Sequence, residues 1–110
     1  MRLTELDPEW VRLTETPGTR RRGGEVDITT AQGMIFLCPT CFQKNGGPVG
    51  THSVLTWFRD RGVPDHEEPG PGRWAVTGTG FEDITLSPSI DISSNGDGEW
   101  HGFIQNGGVT

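Results

Sequence analysis

The sequence contains no long hydrophobic run and few hydrophobic residues of any kind. No stretch of its 110 residues approaches the roughly 18 apolar side chains needed to span a membrane. Charged residues also occupy the N-terminal positions where a signal peptide would have its apolar region. Hydrophobic residues make up only 31% of the chain, which is low for a globular protein. We therefore expect a cytoplasmic protein with a modest core and no membrane partner.

Positive charge is also scarce. Lysine and arginine number 9 against 15 aspartates and glutamates, which gives a net charge of −6. Nucleic-acid binding without sequence preference needs a basic surface that displaces counterions. The one basic cluster, Arg20-Arg21-Arg22, is too short to reverse the balance, and short charge runs of this kind are typical of solvated loops. The composition therefore argues against a nucleic-acid partner.

Glycine and proline are abundant, at 17 and 8 residues. This composition predicts an all-β fold: a small antiparallel sheet or sandwich with long Gly/Pro-rich loops. We expect a single domain over residues 1–110, with an N-terminal extension over residues 1–24 and the core over residues 25–110. The expected strands, apart from two discussed below, are residues 25–29, 34–37 and 73–78. Residues 51–58 are too short a run to distinguish a strand from a helical turn.

The two cysteines, Cys38 and Cys41, have the spacing of a zinc knuckle on a turn that follows a strand. In a reducing compartment, such a pair indicates a metal site or free thiols before a disulfide. A structural zinc ion normally needs four ligands, and no second CxxC exists. The candidates for the remaining ligands are His52, His66 and His101, although His66 lies in an acidic, exposed loop. The alternative is a pair of buried or free thiols.

Ser89 and His101 fall on two neighbouring predicted strands, residues 87–92 and 99–104. A hydroxyl and an imidazole that lie side by side on a sheet are the minimum needed for an activated nucleophile. Whether they meet depends on how the two strands pair, because side chains alternate between the faces of a strand. The strand register therefore decides whether this pair can act together.

Two registers are compatible with the connecting loop. A two-residue turn at residues 95–96 would place Ile90 opposite His101, with Ser89 on the other face. A three-residue loop at residues 94–96 would place Ser89 directly opposite His101. We favour the second register because it gathers the apolar residues of both strands on one face, namely Ile90, Ile92, Trp100 and Ile104.

The chain also carries an ordered set of short motifs: CPTC, GTH, PGRW, TGTG, DITLSPSI and WHGFI followed by NG. This set resembles the BubE family, which accompanies bacterial ubiquitination-like operons and also occurs in phages. The resemblance covers residues 34–109, and TLSPSI followed by HGFI is its most specific part. It implies a small β-rich serine peptidase that trims the C-terminus of a bacterial ubiquitin-like protein or releases it from conjugates.

The resemblance implies roles for three residues. The serine of the family's Pro-Ser step falls on Ser89, and the histidine before the aromatic residue falls on His101. The upstream histidine that follows the CxxC falls on His52. Many relatives carry a cysteine immediately before the second histidine, whereas this chain has Trp100 there, which weakens the implied metal site more than the implied catalytic pair.

In this interpretation Ser89 is the nucleophile, and His101 is its general base and then the general acid. A third group must hold the imidazole in the correct tautomer, and we expect it to be His52, with Asp91 and Asp83 as further candidates. Backbone amides near residues 78–80 could donate hydrogen bonds to the oxyanion. Zinc at Cys38 and Cys41 would then be a possible structural cofactor.

The alternative is a non-catalytic, zinc-stabilised β-rich binding module. In that case Cys38, Cys41, His52 and His101 would form a Cys2His2 site, and Ser89 would be an ordinary strand residue. The two interpretations compete for His101, because a zinc-bound imidazole cannot also accept the proton of a serine hydroxyl.

Overall fold

The structure is a computed structural model that describes residues 1–14, 20–22, 26–69, 72–92 and 100–110. For residues 20–22 it describes the backbone alone. Within these residues the chain forms two four-stranded antiparallel sheets. One short α-helix and one short 3-10 helix accompany the sheets. The predicted all-β fold is therefore confirmed. No helix in the described ranges is both long and apolar enough to cross a membrane.

The first sheet has the strand order β2-β1-β3-β4. Its strands are β1 (Glu9–Leu13), β2 (Arg20–Arg22), β3 (Gly33–Leu37) and β4 (Ser53–Trp57). The ambiguous run over residues 51–58 is a strand because β4 pairs along all of β3, from Gly33 opposite Trp57 to Leu37 opposite Ser53. Among the described side chains of this sheet, Thr56 is the one polar residue that is fully buried, and its hydroxyl donates to the Met34 carbonyl at 3.1 Å.

The second sheet has the strand order β5-β6-β7-β8. Its strands are β5 (Ala75–Thr77), β6 (Thr85–Asp91), β7 (His101–Gln105) and β8 (Gly108–Val109). The β7–β8 hairpin turns at Asn106 and Gly107, whose φ angles of 48° and 73° are both left-handed. Asn-Gly is the residue pair that this kind of two-residue turn prefers. A Cβ atom at position 107 would also collide with the Glu82 carbonyl.

The structure corrects one predicted strand and one predicted loop. Residues 28–30 form a turn instead of the strand predicted over residues 25–29, of which Glu25 lies outside the described residues. The cause is Asp27, whose carboxylate accepts hydrogen bonds from the amides of Thr29 and Thr30 and so competes with strand pairing. The second correction is Arg20–Arg22, predicted as a loop, whose backbone is the edge strand β2.

Both sheets contribute to one hydrophobic core. The 3-10 helix Leu3–Leu6 adds two fully buried leucines to it, so the predicted N-terminal extension takes part in the packing. The sheets are also joined directly. Phe58, just after β4, forms an isolated parallel bridge with Trp74, just before β5, and the rings of Phe36 and Trp100 meet edge to face at 5.9 Å.

Candidate functional site

The pairing of β6 with β7 changes register part-way along. Four residues along β6 correspond to two along β7, so β6 contains an irregularity, or bulge, between Leu86 and Ile90. Pro88 lies inside this bulge and has no amide hydrogen to give to a ladder, which is why proline within a sheet is confined to edges and bulges. The observed pairs are Leu86 with Ile104, Ile90 with Gly102, and Asp91 with His101.

Neither predicted register therefore holds at His101. The residue opposite His101 is Asp91, not Ser89 or Ile90. The loop residues on which both predictions depended, 94–96, lie outside the described residues. The physical reason for the difference is the bulge, which adds two residues to β6 and moves Ser89 to a diagonal position relative to His101.

The observed register differs from the favoured one by two residues, so each side chain stays on the face that was predicted for it. The apolar residues Ile90, Ile104 and Trp100 are buried, whereas His101 is exposed and Ser89 is half-buried. The structure brings Ser89 Oγ to 3.4 Å from His101 Nε2. This distance is long for a hydrogen bond to a hydroxyl group, but catalytic contacts in structures without substrate are often long. A hydroxyl and an imidazole therefore meet on the outer face of the second sheet.

Asp91 is the nearest cross-strand neighbour of His101. The Ile92 amide donates to the Trp100 carbonyl at 3.0 Å, which makes Asp91 and His101 a non-hydrogen-bonded pair of the antiparallel ladder. The side chains of such pairs lie closer together than those of hydrogen-bonded pairs. The register therefore places Asp91 beside His101 on the same face of the sheet.

Trp74 holds the backbone of Ser89. Its indole Nε1 donates to the Ser89 carbonyl at 3.2 Å. The backbone of Trp74 is itself fixed, because its amide donates to the Trp57 carbonyl at 3.0 Å and its carbonyl accepts from the Arg59 amide at 2.7 Å. No signal in the sequence predicts this contact.

We expect Trp74→Phe to lower kcat by about fivefold, because one hydrogen bond is worth about 1 kcal/mol. The ring would still pack, but Ser89 would lose one restraint. Trp57→Phe is the matched control, since it removes an equivalent bond, from Trp57 Nε1 to the Glu68 carbonyl at 2.9 Å. Steady-state kinetics and thermal melting of both variants test this. Equal losses of kcat in both, in proportion to stability, would mean that Trp74 acts only on the fold.

The two cysteines lie at the start of helix α1 (Pro39–Asn45) instead of on a simple turn. Cys38 is the N-cap residue, and Cys41 lies one helical turn further on, so both point toward the same side. Pro39 follows the cap, where its missing amide hydrogen costs nothing. Gly46 ends the helix in the left-handed conformation, and its amide bonds back to the Gln43 carbonyl.

His52 lies with the cysteines. Its carbonyl accepts from the Cys38 amide at 2.9 Å, and its Nδ1 is 3.3 Å from Cys41 Sγ. The potential ligand atoms of Cys38, Cys41 and His52 all lie within 4.8 Å of one another. Cys38 is buried, and the other two residues are half-buried. We call these three residues the cysteine–histidine cluster.

The cluster fits a zinc ion. Thiolates and imidazoles are the ligands that zinc prefers, and zinc–sulfur bonds of about 2.3 Å in a tetrahedron separate two sulfur atoms by roughly 4 Å. His52 therefore lies beside the two predicted zinc ligands, Cys38 and Cys41. From the sequence we had expected it to be a catalytic partner of His101. Within the described ranges His101 is not part of this group. The structure thus places His52 and His101 at different sites.

The amides expected to form an oxyanion hole are already engaged. The Thr79 and Gly80 amides both donate to Asp83 Oδ1 at 2.9 Å, and the Thr79 hydroxyl donates to Asp83 Oδ2 at 2.8 Å. These hydrogen bonds, that of the Thr79 amide foremost, lower the pKa of Asp83 from its usual value. The carboxylate of Asp83 therefore belongs to this turn, and it occupies the two amides that were expected to bind an oxyanion.

A shallow depression adjoins His101. It has a volume of about 190 Å³, and Thr40 and Gln43 of α1 line it together with Trp100 and Val109. The helix that carries the cysteines therefore forms one wall of a space that opens beside the candidate base.

Comparison with known proteins adds a family. The family model described as bacterial ubiquitination-like system serine protease (BubE) matches residues 13–110. The chain belongs to the BubE family. The resemblance first seen over residues 34–109 is thereby confirmed, and the BubE match extends it into β1. No curated protein and no solved structure matches the chain. Both the Ser89–His101 pair and the cysteine–histidine cluster lie inside the BubE match.

Proposed function

We propose that the protein is a serine peptidase that processes a bacterial ubiquitin-like protein or releases it from its conjugates. The observation that carries this proposal is the distance of 3.4 Å between Ser89 Oγ and His101 Nε2 on the outer face of the second sheet. The family description, a serine protease of bacterial ubiquitination-like systems, supports the reaction and the class of substrate.

In the proposed reaction Ser89 Oγ attacks the scissile carbonyl carbon while His101 Nε2 accepts the hydroxyl proton. The resulting imidazolium then donates that proton to the leaving amine as the carbon–nitrogen bond breaks. Water next attacks the acyl-enzyme with the neutral imidazole as its base, which releases the acid product and restores the serine hydroxyl.

We assign the third catalytic position to Asp91. Its carboxylate lies directly across the ladder from His101, where it can stabilise the imidazolium. His52, our expectation from the sequence, is directed toward Cys41. Its role in this proposal is that of a metal ligand.

The proposed cofactor is a zinc ion held by Cys38, Cys41 and His52. Bound there, zinc would supply structural cross-linking. The cluster would tie the start of α1 to the residue that precedes β4, and hence fix the wall of the depression beside His101. The donor atoms that lie within 4.8 Å of one another support this assignment.

A fluorophosphonate probe tests the nucleophile. We expect the wild-type protein to be labelled on Ser89, with the adduct located by mass spectrometry of the digested protein. Ser87 is the matched comparison, because it is exposed on the same strand two residues away. An adduct on Ser87, or no adduct on wild-type protein that is folded, would overturn the proposal.

The pH dependence tests His101 as the base. A protonated imidazole cannot accept the hydroxyl proton, and imidazoles change charge between about pH 5 and 8. We therefore expect kcat/KM to fall by about tenfold per pH unit on the acid side of one titration. The pKa of Asp83 is lowered, so the stability that its ionised carboxylate contributes is lost only as the pH falls below 3.8. Unfolding of the turn that holds Asp83 therefore cannot cause the expected fall in kcat/KM.

His101→Gln supplies the control for the pH experiment. This variant should lose turnover but keep its melting temperature and any bound zinc. A flat profile between about pH 5 and 8, together with turnover in His101→Gln, would rule out His101 as the base. Loss of zinc from His101→Gln would instead favour the binding-module alternative.

A further inference from the structure

An aromatic side chain next to the candidate base is exposed without an evident structural reason. Phe103 is 47% exposed and lies two residues after His101 on β7. The burial along β7 alternates strictly, with His101, Phe103 and Gln105 exposed and the residues between them buried. A single exposed apolar side chain is common on protein surfaces, so the informative feature of Phe103 is its position beside His101, because aromatic side chains are enriched where proteins contact other polypeptides. Phe103 thus shares the outer face of the strand with His101.

We propose that Phe103 is a specificity-determining residue, which contacts an apolar substrate side chain close to the scissile bond. This inference rests on the proposed peptidase function. The partner that contacts Phe103 is an extended segment of the substrate polypeptide. The Phe103 ring lies on the same face as the Ser89–His101 pair, so a segment bound at that pair and running along β7 crosses the ring.

The spacing along the strand supports this partner. Alternate residues of a β-strand are about 6.8 Å apart, and an extended substrate has the same repeat. A substrate that runs along β7 with its scissile carbonyl at Ser89 Oγ therefore places one side chain against the Phe103 ring. Apart from Pro88 in the bulge, the other exposed residues of β6 and β7 are polar: Ser87, Asp91, His101 and Gln105. Phe103 is the apolar contact point among them.

The expected size of the effect follows from the exposed area. About half of a phenylalanine side chain would be covered, and at about 25 cal/mol per Å² of apolar surface this corresponds to a change in kcat/KM on the order of tenfold or more. Because the ring is exposed, its removal leaves no cavity in the core. Phe103→Ala should therefore fold normally.

The test uses two peptidyl phosphonates that differ in one residue next to the phosphorus atom, leucine in one and serine in the other. Wild-type protein should react with the leucine probe about tenfold faster than with the serine probe. In Phe103→Ala this preference should disappear, while labelling by a small alkyl fluorophosphonate stays within about twofold of wild type. Val49→Ala is the matched control, since Val49 is 87% exposed in the loop after α1. It should keep the preference.

The outcomes separate the two proposals. Equal rates with both phosphonates, or a leucine preference that survives in Phe103→Ala, would overturn the role of Phe103 while Ser89 labelling by the alkyl probe still stands. Failure of the alkyl probe to label folded wild-type protein would instead overturn the peptidase function, and the specificity role with it.

Discussion

Ser89→Ala is expected to lower kcat by on the order of 10⁴-fold or more, because substitution of the nucleophile removes the covalent route entirely. The same change should leave the melting temperature within a few degrees. Ser89 is only half-buried, and the hydrogen bond it accepts from Trp74 uses its backbone carbonyl, which alanine retains. The measurement is turnover of a ubiquitin-like protein fused to a reporter through its C-terminus, together with thermal melting.

Ser87→Ala is the control for this prediction. Ser87 is exposed on β6, two residues before Ser89, and its backbone is paired with Ala75 of β5. Its replacement should leave kcat within about twofold of wild type, which is the usual outcome for a residue without a role in the chemistry. Turnover retained in well-folded Ser89→Ala would refute the assigned nucleophile, and Ser87 would then become the first candidate to examine.

Cys38→Ser is expected to lower the free energy of unfolding by about 3 kcal/mol or more, because metal binding is linked to folding. In a domain of this size that corresponds to a fall in Tm of about 10 °C or more. Cys38 is fully buried and caps α1, so the variant would lose a ligand at the point where the helix begins. Thermal melting should be combined with elemental analysis, which should find about one zinc per wild-type chain.

The control for the metal prediction is His66→Ala, because His66 is an exposed histidine outside the cluster. His66→Ala should keep both its zinc and its melting temperature, whereas His52→Ala should lose zinc as Cys38→Ser does. Wild-type protein that contains no metal but melts at the same temperature with and without a chelator would contradict the zinc assignment. The cysteine pair would then be a packing element of the helix start.

The separation of faces in the second sheet could be predicted from the sequence, but the register could not. Alternation of polar and apolar residues is a local property, and it correctly grouped Ile90, Trp100 and Ile104 on the buried side. Pro88 also marks a place where ladder pairing must fail. The number of residues that the bulge absorbs depends on packing against both neighbouring strands, so the sequence had no signal for Asp91 opposite His101.

The partners of His52 and Trp74 depend on tertiary structure in the same way. The CxxC predicted two ligands because two cysteines at this spacing on a tight turn can reach the same metal ion. His52 reaches them only through the loop that joins α1 to β4, whose path is not evident from its residues. Trp74 meets Ser89 because the end of β4 holds its backbone, a contact between segments about 17 residues apart in the chain (residues 57 and 74).

The hydrogen bond between Trp74 and the Ser89 carbonyl also provides an optical probe of the proposed nucleophile. Indole emission responds to hydrogen bonding and to local polarity, and here one indole is bonded to the residue that the proposed reaction would acylate. Trp10, stacked on Phe81 at 4.1 Å, and the fully buried Trp57 form a background in the core, whereas the buried Trp100 lines the depression beside His101. In Trp100→Phe, the change in intrinsic fluorescence on acylation of Ser89 would therefore report on Trp74, in real time and on unlabelled substrate.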